Sequence, residues 1–148
     1  MSTYITHKRA RFNYDILDTF EAGISLLGTE VKAIRHNQGK LEGSYVVVRG
    51  GVRLLVGASI PPFQKSNAPK TYDPERPRAI LLTPKEIAEI EHKSEKQGLT
   101  IIPIKLYNKN RKIKLEIAIA RGKKKYDKRE SIKARDVKRV TERMLKSS

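Results

Sequence analysis

At 148 residues and 38% apolar content the chain is about one domain long, with material for one modest core and too little for two. Its 32 Lys+Arg against 16 Asp+Glu give a net charge of +16, a balance that favours polyanionic partners, nucleic acid ahead of an anionic membrane surface. The absence of cysteine excludes disulfides, iron–sulfur ligation, thiolate catalysis and every zinc site that needs Cys. No apolar run approaches the roughly 18 residues of a membrane span, and the first nine residues lack a signal peptide's apolar segment, so a cytoplasmic location is expected.

From Tyr14 to Leu26 the even positions read Tyr14, Ile16, Asp18, Phe20, Ala22, Ile24 and Leu26, while the odd ones are polar or small except Leu17. That period of two predicts a strand with one buried face, bent or bulged at Gly23 because it outruns an average strand. In the following Gly28-Thr29-Glu30-Val31-Lys32-Ala33-Ile34-Arg35, Thr29 can cap a short helix with Val31 and Ile34 inward and Lys32 and Arg35 outward. Residues 44–49 and 52–56 flank Gly50-Gly51, a strong hairpin signal, since two glycines accept the positive φ of a type I′ turn.

Five of the seven prolines fall between Pro61 and Pro77, predicting a long surface loop from Pro61 to Arg78 whose Lys65, Lys70, Arg76 and Arg78 could contact phosphate. A short strand, Ala79 to Leu82, precedes Thr83-Pro84-Lys85-Glu86, a capping box with proline at the first helical position. That helix should run to Gly98 and pack Ile87 and Ile90 on the sheet. Leu99 to Tyr107 reads as a strand with Ile102, Ile104 and Leu106 on one face, and Pro103 suggests a sheet edge. After the turn Asn108–Arg111, Ile113, Leu115, Ile117 and Ile119 alternate with Lys112, Lys114, Glu116, Ala118 and Ala120, completing a second hairpin.

Several short alternating strands, one inserted helix and no βαβ rhythm predict a mainly β fold with added helices. The specific expectation is an OB-fold-like antiparallel barrel of about six strands and two to three helices over residues 1–120, followed by a basic tail. An open α+β sandwich of the same strands is the alternative.

Residues 121–148 hold 12 Lys+Arg and 4 Asp+Glu, half of the net charge in a fifth of the chain, with too few apolar residues for a core. Arg121, Lys123, Lys124, Lys125, Lys128 and Arg129 surround Gly122, Tyr126 and Asp127, a composition suited to phosphate contact and base stacking. Further on, Arg135, Arg139, Arg143 and Lys146 wind onto one helical face, and Val137, Val140 and Met144 onto another. Such a helix is marginal alone, so the tail should be disordered when free and helical on its partner. A solvated basic extension is the bland alternative, and the short stripe without Trp or Phe makes membrane binding a distant third.

No nucleophile elbow, phosphate loop, dinucleotide fingerprint or H-E-x-x-H motif is present. His7, His36 and His92 lack ligand spacing and read as surface residues. No catalytic residue, metal or cofactor is expected. An RNA-modifying enzyme would need a catalytic constellation that the sequence does not offer, and charge with fold class alone would suit a general RNA-binding or ribosomal protein.

In order along the chain, Phe20-Glu21-Ala22-Gly23-Ile24, Gly28-Thr29-Glu30-Val31-Lys32, Gly43-Ser44-Tyr45-Val46, Asp73-Pro74-Glu75-Arg76, Leu81-Leu82 with its capped helix, and Gly122-Lys123-Lys124-Lys125-Tyr126-Asp127-Lys128-Arg129 resemble the signatures of one family. That family is small protein B, the tmRNA-binding (SsrA RNA-binding) protein of bacterial trans-translation, and the resemblance covers Arg9 to about Arg139. It implies an OB-like barrel that binds the tRNA-like part of tmRNA and brings it to stalled ribosomes for rescue and peptide tagging. It further implies tmRNA contact at the positions of Glu21, Leu81 and Lys114. The positions of Gly122 and Tyr126 would act with the tail in the small-subunit decoding centre and mRNA channel. Transient contact with alanyl-tRNA synthetase and elongation factor Tu would come through tmRNA.

Read from the residues alone, Lys114 lies on the polar face of its strand, as an RNA contact should, Lys32 and Arg35 extend that surface, Glu21 is a solvated strand residue, and Leu81 belongs to the core. The chain departs from the family at His7 and Phe12, where Asn and His are common, and at Ala33, Ala79 and Ala118, where Ser, Lys and Gly are usual.

Overall fold

Two bulges determine how the strands bury their apolar residues. The computed structural model describes residues 2–64 and 70–123, and among these the chain forms seven strands and three helices. In order they are β1 (Thr3–Thr6), α1 (Ala10–Asn13), β2 (Tyr14–Ile24), α2 (Gly28–Arg35), β3 (Tyr45–Arg49), β4 (Val52–Val56), β5 (Arg78–Leu81), α3 (Pro84–Lys93), β6 (Leu99–Lys109) and β7 (Lys112–Gly122). All pairings are antiparallel. The order β6-β3-β4-β5-β2-β7 closes on itself through β6–β7, making a six-stranded barrel-like ring, with β1 added to β6 beyond the point where β3 leaves it. The expected OB-like antiparallel barrel is therefore observed. The strand β1 and helix α1, which carry no alternation long enough to read, are additions.

The expected single buried face of β2 is in fact two. A bulge between Ile16 and Asp18 reverses the side on which even positions lie. Phe20, Ala22 and Ile24 consequently join the barrel core, with Ile34, Leu41, Leu55, Ile60, Ile80, Ile90, Leu106, Leu115 and Ile117. Tyr14 and Ile16 instead pack on a small outer cluster of Ala10, Ile102, Ile104, Ala118 and Ala120. A matching bulge between Pro103 and Lys105 does the same in β6, sending Ile102 and Ile104 outward and Leu106 inward. The alanines of β7 leave room for this outer cluster, where Ala10 of α1 is buried.

Pro103 is thus at a bulge in a strand paired on both sides, the other position where a missing N–H is tolerated. Its carbonyl accepts a 2.8 Å hydrogen bond from Nδ1 of His7, which is buried, contrary to the surface position expected of it; His36 and His92 are exposed.

Both hairpins form where the turn signals placed them. Gly50 and Gly51 have φ of 56° and 83°, and in the β6–β7 turn Asn110 and Arg111 take φ of 52° and 65° without glycine. Thr83 caps α3 through a 3.2 Å bond from Glu86 N–H, but the helix stops at Lys93, short of Gly98, with Ser94 as its C-cap.

Two of the four cations expected to contact phosphate in the loop after β4, Arg76 and Arg78, turn inward instead. Glu30, fully buried on α2, accepts from Arg78 Nε at 2.9 Å and Nη2 at 2.6 Å, from Arg76 Nε at 3.1 Å and also from Arg76 Nη2, and from the Tyr72 hydroxyl at 3.1 Å. Arg78 is itself fully buried and donates onward to the carbonyls of Ala58 and Pro74, each at 2.8 Å. It is the first residue of β5 rather than the end of the loop. Burial alone would raise the Glu30 carboxyl; hydrogen bonds from Arg76, the Leu27 N–H and Arg78 outweigh that and hold it below its ordinary value. Thr29 is likewise diverted. Leu27 is the N-cap of α2, and Thr29 Oγ1 accepts from Phe63 N–H at 2.9 Å, tying the loop's start to the helix. Lys70 is exposed, and Lys65 lies outside the described residues.

Candidate nucleic-acid interface

The lip of the barrel at the far end of β2 gathers several of the candidate residues. Gly23 of β2 faces Leu81 of β5 on one side and Lys114 of β7 on the other, so this one residue pairs with both neighbours. A methyl group at Gly23 would sit 3.1 Å from Leu81 Cβ and 3.3 Å from its Cδ1. The missing side chain, rather than the bulge expected there, is what lets Leu81 lie across β2. Leu81 is 59% exposed, so assigning it to the core is corrected: the inward residue of that strand is Ile80, and strand alternation turns Leu81 out.

Below Leu81 lies a depression of about 330 Å³ whose wall includes Gly23, Ile24, Leu26, Val31 and Ile113 and whose cations are Arg35, Arg111, Lys112 and Lys114. An apolar floor with an exposed leucine, ringed by cations, can receive an unstacked base or ribose while the rim holds phosphates. Arg35 Nη2 donates to the carbonyl of Arg111 at 3.2 Å, joining α2 to the β6–β7 turn. Lys32, one turn earlier on the same helix, is exposed but lies off this depression.

Glu21 is two residues from Gly23 on the same outward face of the sheet, opposite Glu116 of β7. Two carboxylates directly opposed repel. Each is answered by a group from β6: Lys105 Nζ is 3.8 Å from Glu116, and Glu21 accepts from the Tyr107 hydroxyl and from Lys109 Nζ at 3.1 and 3.2 Å. The Tyr107 bond first, against the cost of desolvation, and then Lys109 and the charge of Lys114 hold the Glu21 carboxyl below its ordinary value. Burial and the bond to Glu21 in turn push the Tyr107 phenol up. Glu21 is therefore exposed on its strand, as expected, with its carboxylate oriented by Tyr107 and Lys109.

Leu81, Lys114 and Arg35 thus share one depression, Glu21 lies two residues along β2 from its Gly23 in a separate hollow with Tyr107 and Glu116, and Lys32 stands off it on α2. The additions are Gly23, Arg111, Lys112, Tyr107 and Lys109. Lys109 and Arg111 were legible only as turn residues and Lys112 only as part of its strand's polar face, and Tyr107 gave no signal beyond strand alternation.

At the other end of the barrel β7 continues past Ala120, Arg121 and Gly122 pairing with Asp15 and Tyr14 of β2, and Lys123 N–H donating to Asn13 O at 2.8 Å. The first three residues of the expected tail, 121–123, are consequently still held by the sheet. Lys124, Tyr126, Asp127, Lys128, Arg129, Arg135 and Arg139, with the tail helix expected around them, lie outside the described residues.

Comparison with known proteins bears on the fold and the family. The family model described as SmpB protein matches residues 4–147. An SsrA-binding protein of Thermosipho africanus is 46% identical, over 99% of this chain and 98% of its own length, and one of Trichodesmium erythraeum is 44% identical over 95% and 90%. A solved chain described as "tmRNA-SmpB: a journey to the center of the bacterial ribosome" superposes with a TM-score of 0.68 at 36% identity, covering 86% of this chain and 93% of that one. With a family match over nearly its whole length and relatives of this identity, the chain belongs to the SmpB family.

Proposed function

We propose that the protein binds the tRNA-like part of tmRNA through the barrel lip and carries it to stalled ribosomes, where residues 124–148 work in the decoding centre and mRNA channel. The observation that supports this most is the single depression shared by Leu81, Lys114 and Arg35, with the oriented Glu21 two residues along β2 from its Gly23. Its features are those of RNA recognition, namely base or ribose contact on apolar surface, phosphate contact by cations, and an acceptor for donor groups. The function is binding and delivery, without turnover. Alanyl-tRNA synthetase and elongation factor Tu meet the protein through tmRNA, and the setting is the cytoplasm. Among the described residues no helix is long and apolar enough to cross a membrane.

The test is affinity for tmRNA against ordinary tRNA at one salt concentration. A marked preference for tmRNA is expected; equal affinities would leave a general RNA-binding protein. Within that measurement Lys114→Ala should weaken tmRNA binding by roughly 1–3 kcal/mol, the range for a charge-assisted contact. Its side chain is outward on β7 and only half-buried, so the fold should survive the change, which thermal unfolding of the variant checks.

A further inference from the structure

The outward face of β2, β7 and β6 carries a hydrogen-bonded group whose geometry is more specific than its charge. Tyr107 is only 4% exposed, yet its hydroxyl reaches over β7 to donate to Glu21 Oε2. Its ring is covered by Lys105, whose Nζ sits 5.3 Å from the ring centroid. Lys109 closes the other side, its Nζ within 3.2 Å of both Glu21 oxygens. A carboxylate offers about four acceptor positions, and these two neighbours occupy those facing β6. The Glu21 side chain remains 38% exposed, so its free lone pairs face outward, beside Gly23 and Lys114.

We infer that Tyr107 and Lys109 are positioning residues that hold Glu21 aimed outward as a reader of hydrogen-bond donors on the RNA, either a ribose 2′-hydroxyl or a guanine amino group. This rests on the barrel lip being the RNA surface. A carboxylate cannot accept anything from a phosphate oxygen, so at this point the interface selects donors while the cations around the depression take the backbone. Lys109 offsets the carboxylate's charge, so Glu21 need not drive away the neighbouring phosphates. Tyr107 fixes the direction. A free glutamate samples several rotamers, and holding one in place before binding removes an ordering cost from association. The pairing also explains why a carboxylate stands on an otherwise basic RNA surface.

The experiment is a double-mutant cycle on a transcript of the tRNA-like portion of tmRNA, with wild type, Tyr107→Phe, Glu21→Gln and the double variant, run at low salt so that weakened complexes stay measurable. Tyr107→Phe keeps the ring and removes one oxygen; it should bind about tenfold more weakly, the scale of a lost charge-assisted bond. In the Glu21→Gln background the same change should cost less than about twofold. Wild-type affinity in Tyr107→Phe, or equal losses on both backgrounds, would overturn the inference. Lys109→Met, an exposed change, should show a smaller loss with the same dependence on Glu21 and keeps the test open should Tyr107→Phe fail to fold.

A second arm uses transcripts with single 2′-deoxy or guanosine-to-inosine substitutions. The donor that Glu21 reads is the substitution that weakens wild type but not Glu21→Gln, which separates ribose from base amino recognition; finding none overturns donor reading. If wild type prefers tmRNA no more than tRNA, the tmRNA assignment fails, while the cycle can still be read on tRNA.

Discussion

Glu30→Gln is expected to destabilise the protein by about 3–5 kcal/mol, because it leaves the fully buried Arg78 without its countercharge. That is a large part of the 5–15 kcal/mol typical of a whole domain. Arg78 would keep its bonds to the Ala58 and Pro74 carbonyls, which satisfy donors but not the charge. Arg76 would stand beside it as a second cation. Denaturant unfolding of the variant measures the loss, and a cost below 1 kcal/mol would mean that the cluster is hydrated and exchangeable in solution. A paired replacement, Glu30→Leu with Arg78→Met, removes both charges and should recover much of the difference.

The pH dependence supplies an independent check. Glu30 titrates below its ordinary 4.5 when folded and near it when unfolded, so its contribution is fully present above about 4.5 and is lost as pH falls through the folded value. The stability gap between wild type and Glu30→Gln should therefore be constant from neutral pH down to about 5 and narrow at more acid pH. RNA binding should fall with stability, since Glu30 joins α2, which carries Lys32 and Arg35, to β5, which carries Leu81.

This cluster also marks the limit of what the sequence makes legible. To a count of charge Glu30 is one more acid and Arg76 and Arg78 two more bases, and 46 to 48 residues separate the carboxylate from its partners; nothing local distinguishes a buried ion pair from phosphate contacts. Local patterns fared better. The Gly50-Gly51 turn, the Thr83 cap and the alternation of β7 each depend on neighbours in the chain and were readable from it. The bulges at Ile16/Asp18 and Pro103/Lys105 were not: in β6 the apolar alternation runs on unbroken while the buried face is exchanged, and in β2 the sole interruption is Asp18 beside Leu17, which a single polar strand position explains as well. Leu81 shows the same limit in a single residue. Apolar content placed it in the core, and only the phase of β5 set by Ile80, with room from Gly23, turns it out. Tyr107 needed the structure, since its role exists only across β7.

Ending the chain after Lys123 should leave both the fold and the preference for tmRNA intact while abolishing peptide tagging on ribosomes stalled at a message without a stop codon. The register gives the reason. Lys114 pairs with Gly23 at the end of β7 proposed to meet RNA, and Gly122, eight residues on, pairs with Tyr14 at the other, a separation of roughly 25 Å at about 3.3 Å per residue. Everything removed therefore departs from the end of the barrel remote from Leu81 and Lys114. Cutting after Ala120 would be a poorer test, because Arg121 and Gly122 pair with β2 and the Lys123 N–H bonds to Asn13.

Residues 124–148 hold 10 Lys+Arg and 4 Asp+Glu, so the truncated chain keeps a net charge of +10. Its binding to any RNA should weaken somewhat and depend less steeply on salt, since fewer counterions are released. The decisive quantity is therefore the ratio of affinities for tmRNA and tRNA, in which that general term cancels. A ratio unchanged within about twofold, together with lost tagging, places recognition in the barrel and ribosome engagement in the tail. A ratio that collapses towards one would put the recognition of tmRNA in the tail, and would make the cationic depression a general RNA contact.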